Sequence, residues 1–107
     1  MDTTLIEQKI HEFCKIFGMK FSGMKLFYDD PSKVSFVGEI TEQSPLTPTH
    51  SDDNYVSSVR YKDNNIMMFN HLSDKWECIE DVIEQQIKWF KSKGWAYENG
   101  QWSMMNP

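Results

Sequence analysis

Four of the five histidine and cysteine side chains in this sequence are spaced as metal ligands or nucleophiles could be. His11 and Cys14 lie one helical turn apart, and His71 and Cys78 flank the start of a second amphipathic run. Zinc requires four convergent donors in tetrahedral geometry, usually supplied by tight knuckles. Neither a CxxC nor an HxxxH pair occurs, and helical spacing turns His11 towards the polar side while Cys14 points inward. The spacing predicts small core thiols and surface imidazoles, with no metal and no cofactor. Asp29-Asp30 and Asp52-Asp53 are paired carboxylates, which elsewhere hold divalent cations or split their pKa values for acid–base work. Adjacent residues on an extended chain point opposite ways, however, and Asp favours turns for its local hydrogen bonds. Serines are present, but no strand–elbow–helix glycine motif exposes one, and no glycine-rich loop cradles a phosphate. Both cysteines fall in apolar stripes, where a thiol stays protonated. Catalysis has no support in the sequence.

Two further patterns could recognise a partner. Glu77, Glu80, Asp81 and Glu84 form an acidic stripe on the predicted second helix. Its sharp reading is mimicry of a nucleic-acid backbone; its plain reading is complementarity to the helix macrodipole, with a Glu84–Lys88 pair on a solvated face. The plain reading is preferred. The second pattern is the ribbon WAYENGQWSMM, Trp95 to Met105. Asn99-Gly100 suits a two-residue type I′ turn, which sets Glu98 opposite Gln101, Tyr97 opposite Trp102 and Trp95 opposite Met104. Alternation then gathers Trp95, Tyr97, Trp102 and Met104 on one face. Burying each is worth about 1.5–3 kcal/mol, so these side chains are expected to finish a core. The competing expectation leaves Trp102 and Met104 open as a binding patch, since Trp, Tyr and Met are enriched at interfaces.

The elements that position these residues follow from periodicity. TTLIEQKIHEFCKIFG reads as a helix: Thr4 caps it, Glu7 completes a capping box, and Ile6, Ile10, Phe13, Cys14 and Phe17 share one stripe before Gly18. Met24–Tyr28 and the run KVSFVGEI read as strands around the turn Asp30-Pro31-Ser32-Lys33. Asn54–Tyr61 and Ile66–Asn70 form a second pair around KDNN. Thr41 to Asp53, with two prolines and no periodicity, is expected to be a flexible loop, either a plain linker or a functional lid. SDKWECIEDVIEQQIKWFKSKG reads as the second helix, capped by Ser73 or Asp74, with Trp76, Ile79, Val82, Ile83, Gln86 and Phe90 inward. The fold class expected is a single α+β domain over residues 1–107. Its antiparallel sheet carries two amphipathic helices on one face, in the order α-β-β-β-β-α-β-β.

Bulk composition narrows the functions. The chain has 107 residues, 39% hydrophobic and 14% aromatic, enough for one domain with its own core. No basic, apolar leader opens it and no run reaches the roughly 20 apolar residues of a membrane-spanning helix, so a reducing cytoplasmic setting is expected. A net charge of −5 counts against nucleic acid as partner.

The central strands are apolar on both sides, with Phe27, Val37, Met67 and Phe69 opposite the main apolar series. Two helices cover only one side of a sheet. The second side then needs the terminal hairpin, a second copy of the chain or a partner. The function expected is a non-catalytic protein-binding domain, a bacterial or phage-encoded inhibitor or adaptor, using Trp95, Tyr97, Trp102, Met104, Phe27 and Phe69. The rival is a small-molecule binder or enzyme that closes the 41–53 loop over the sheet. The element order also resembles that of small acidic secretion chaperones, and this resemblance implies a homodimer.

Overall fold

The computed structural model describes residues 4–27, 29, 30, 32–46 and 54–104. Helix α1 (Thr4–Ile16) precedes strands β1 (Met19–Leu26), β2 (Lys33–Ile40), β3 (Asn54–Lys62), β4 (Asn65–Asn70) and β5 (Lys75–Cys78). Helix α2 (Ile79–Ser92) and strands β6 (Trp95–Glu98) and β7 (Gln101–Met104) complete the chain. The fold is a single α+β domain, and its main sheet is an antiparallel meander in the order β1-β2-β3-β4-β5. Tyr28, Pro31 and the Asp52-Asp53 pair lie outside the described residues.

Turn chemistry places each reversal. Lys33 N–H donates to the Asp30 carbonyl at 3.1 Å, closing the first turn. The Ser32 amide and hydroxyl both donate to Asp30 Oδ1, at 3.1 and 2.6 Å. Asp63 and Asn64 have φ of 53° and 64°, and Asn99 and Gly100 have 54° and 74°. Both central residues of each turn are therefore left-handed, which defines the type I′ geometry that matches strand twist. The terminal hairpin takes the register its turn demands: Trp95 opposite Met104, Tyr97 opposite Trp102, Glu98 opposite Gln101.

One element departs from the sequence expectation. Residues 75–78 form a fifth strand rather than the first turn of α2, so the sheet is one strand wider than expected. The apolar spacing of Trp76, Ile79, Val82 and Ile83 mimics a helix, but the chain reverses first. Asp74 sits at φ 61° and its N–H donates to the Asn70 carbonyl at 2.8 Å. Cys78, not Ser73 or Asp74, is the N-cap of α2, with no side-chain cap bond. Trp76 consequently leaves the helical stripe and joins the sheet.

The two faces of the sheet differ sharply. Val34, Phe36, Tyr55, Val59, Ile66 and Met68 point to the helices and are buried together with Ile6, Ile10, Phe13 and Phe17 of the α1 side and Ile79, Val82 and Phe90 of α2. The hairpin closes this same core. Trp102 lies 15° from coplanar with Phe17 at 6.1 Å, meets Phe90 edge-on at 5.7 Å, and donates its indole N–H to the Ile16 carbonyl at 2.7 Å. That bond satisfies a carbonyl the end of α1 would otherwise leave bare.

The first residues of the predicted loop also belong to the core. Ser44, Pro45 and Leu46 are buried, and Thr41 donates its amide and hydroxyl to the Gly18 carbonyl. Gly18, at φ 68°, lies so close that an added Cβ would meet Ser44 Cα at 3.0 Å, which explains glycine at this junction. Residues 47–53 lie outside the described residues.

Candidate functional site

The sheet's second face carries the recognition chemistry. Alternation directs Lys25, Lys33, Ser35, Val37, Val56 and Arg60 away from the helices, and Met67, Phe69, Trp76 and Cys78 continue the surface. None of these is buried, whereas the inward neighbours Val34, Phe36, Tyr55, Ser57, Val59, Ile66 and Met68 on β2, β3 and β4 are. Lys33, Arg60, Met67 and Cys78 form one ladder across β2 to β5, and Phe69 pairs directly with Trp76. Val56, near the centre of the face, is 54% exposed. No described helix or hairpin packs over this surface.

Rings and cations interlock there. Phe69 meets Trp76 edge-on at 5.9 Å. Lys33 Nζ lies 4.4 Å from the centroid of Phe27 and 5.7 Å from that of Trp76, and Arg60 Cζ lies 5.2 Å from Trp76. Phe27 and Trp76 therefore hold cations by their quadrupoles. Arg60 also pairs with Asp30 at 3.1 Å. The Ser32 hydrogen bonds, ahead of the guanidinium, hold the Asp30 carboxyl below its usual range. A hollow of about 430 Å³, lined by Lys25, Leu26, Phe27, Asp29 and Ser35, opens at the β1 end.

The residues expected to bind a partner separate into two groups. Phe27 and Phe69 fall on the open face, as their alternation requires. Trp102 does not remain open: at 6% exposure it is a core residue, because α1 and α2 leave a gap between Phe17 and Phe90 that only a large ring fills. Trp95 and Tyr97 pack half-buried beside it, and Met104 is 44% exposed. The hairpin patch and the sheet patch are thus on different sides of the molecule, and the hairpin does not cover Phe27 or Phe69. Sequence reasoning missed Trp76, Lys33 and Arg60 as members of the face. Period-two spacing from Val37 and Ser58 finds Lys33 and Arg60, and recognising β5 sets Trp76 opposite Phe69.

The acidic stripe is also reorganised. Glu77 leaves it for β5, where Ser73 and Gln85 donate to its carboxylate, as does Asn70 at 3.1 Å. These bonds, Ser73 first and Gln85 next, hold its carboxyl below the usual range. Asn70 is fully buried and also donates to Gln85 at 3.0 Å while accepting the Leu72 amide at 2.9 Å, so the cluster is the lock of the β4–β5 turn. Glu80 reaches Lys9 of α1 at 3.0 Å, and Glu84 pairs with Lys88 at 3.0 Å. A continuous phosphate-like ladder does not form.

Candidate metal and nucleophile residues stay apart. Among the described residues no three His, Cys, Asp or Glu side chains gather as a metal site. Cys14 and Cys78 are free thiols, and burial pushes the Cys14 thiol up to about 11, where it is a poor nucleophile at neutral pH. His71 packs edge-on against Phe69 at 5.1 Å and Tyr55 at 5.9 Å. No described helix is long and apolar enough to cross a membrane. No family model matches the chain, and neither a curated protein nor a solved structure matches it.

Proposed function

We propose that this protein is a non-catalytic protein-binding domain that docks a partner on the open face of its five-stranded sheet. The observation that carries the reading is the contrast in cover. One face is sealed by two helices and a hairpin, while the other presents Val37, Val56, Met67, Phe69 and Trp76 without a described element above them. Solvated apolar surface of this kind, rimmed by polar groups, marks interaction sites. Arg60 on the central strand and Trp76 on the β5 edge are the residue types that dominate interface energetics. The hairpin tryptophan drops out of the proposed surface, and Trp76 takes its place. An inhibitor or adaptor role is the biological form this binding would take.

Affinity capture from a native lysate tests the reading, with wild-type protein and Val56→Asp as parallel baits. The expected result is a partner retained by the wild type and lost by the variant, with unchanged far-UV circular dichroism. An identical set of captured proteins removes the sheet face from the function.

A further inference from the structure

We infer that the partner presents an acidic, apolar polypeptide segment to this face; the inference rests on the docking reading above. The charge of the molecule is unevenly placed. The whole chain carries −5, yet Lys20, Lys25, Lys33, Arg60 and Lys62 all project from the open side of β1, β2 and β3. Against them stand three acids: Glu39, directly opposite Lys20, Asp30, already paired with Arg60, and Asp29, which lines the hollow beside Lys25. On α1 and α2 the acids Glu7, Glu12, Glu80, Asp81 and Glu84 are balanced by Lys9, Lys15, Lys88, Lys91 and the C-cap Lys93, so the helical side has no positive excess. The face is therefore net positive on a net negative protein. Its attraction for a partner favours negative charge, and the balanced helical side offers no competing positive surface.

The apolar contents of the face choose among negatively charged partners. Val37, Val56 and Met67 offer aliphatic contact and no hydrogen bonds to base edges. Single-stranded nucleic acid needs ring faces for stacking. Here Lys33 covers Phe27 and, with Arg60, Trp76, while Phe69 and Trp76 stand edge-to-face at 76°. Those rings are arranged to hold cations towards carboxylates rather than to receive bases. A second copy docked face to face would bring Lys33 and Arg60 against their own equivalents, so symmetry is opposed by charge. An acidic segment with apolar side chains satisfies both halves: carboxylates meet Lys25, Lys33 and Arg60, and an apolar anchor enters the 430 Å³ hollow beside Phe27.

Selection of random displayed peptides against the full chain, with sequencing of the survivors, tests this. The survivors are expected to be enriched in Asp and Glu interspersed with apolar residues. A consensus peptide is expected to weaken about tenfold when its acids become amides, and by a similar factor with Lys33→Glu or Lys25→Glu protein. Lys25 is exposed on an edge strand, so its variant keeps the test valid if Lys33→Glu misfolds. Survivors without acidic enrichment that are still lost on Val56→Asp overturn the charge inference and leave the docking surface standing. Survivors indifferent to Val56→Asp, or none at all, overturn both. Tighter binding of oligo-dT than of the consensus peptide, or sedimentation showing self-association abolished by Lys25→Glu, assigns the face to nucleic acid or to a second copy and overturns the inference.

Discussion

Trp102 and Trp76 are the same side chain in opposite circumstances. Trp102 is sealed between Phe17 and Phe90, with its indole N–H committed to a helix carbonyl. Trp76 lies half-exposed on an edge strand, its ring held by Arg60 and Lys33. Hydrophobicity does not separate them. What separates them is the layer beyond: β7 carries Trp102 under two helices, whereas β5 carries Trp76 on the side no described element reaches. An aromatic residue becomes core or contact surface according to what lies above its strand.

The largest expected effect probes the sealed side. Trp102→Ala is expected to destabilise the domain by about 3–5 kcal/mol, read from urea unfolding, because it opens a cavity between the helices and strips a carbonyl of its donor. A cost near that of Trp76→Ala would abolish the contrast.

Alkaline pH tests the same side without mutation. Burial raises Cys14 from 9.0 to about 11 and Tyr55 from 10.0 to about 12, the latter against hydrogen bonding with Gln86 and Ser57. Raised acids confer stability that is complete below the unfolded values and lost as pH climbs towards the folded ones. Unfolding free energy is therefore expected to hold level to about pH 8.5 and to fall by about 3 kcal/mol per group above that, with Cys14→Ala removing the earlier part of the decline. A level profile through the alkaline range would contradict the sealed environment of both groups.

Between the faces stands the Asn70 lock. Asn70→Ala is expected to cost about 1–3 kcal/mol, since it strands the Leu72 amide and two side chains that converge on it. Hydrogen exchange should quicken first in β5, which the lock holds against β4. Uniform loss of protection would show that β5 is fixed by other means.

The open side should be nearly indifferent to folding. Val56→Asp is expected to change stability by less than about 1 kcal/mol while abolishing partner binding. A large loss of stability would mean that the face is packed in solution and the contrast false.

Legibility in the sequence followed the strength of local chemistry. Asn99-Gly100 dictated both turn and register, and the α1 stripe from Ile6 to Phe17 dictated its burial, because these signals are contained within one element. The β5 strand was hidden because Trp76, Ile79 and Val82 share helical spacing across a strand–helix junction, and only the left-handed Asp74 breaks the pattern. The surplus apolar face was visible in Phe27 and Phe69. Its cations were not, since charge on alternate strand positions acquires meaning only when neighbouring strands bring Lys33 beside Arg60. Trp102 was ambiguous for the same reason: no local signal says that a terminal ribbon folds back on the first helix.

That return has a consequence for how the molecule is made. The hydrogen bond from Trp102 to Ile16 spans 86 positions of chain, a loop whose closure is entropically slow to achieve. During synthesis α1 is made before the five-stranded sheet, α2 and β6, and the ring that caps Phe17 arrives only after all of them. Until then the core end around Phe17 stays uncovered, and the β6–β7 hairpin is the element that seals it.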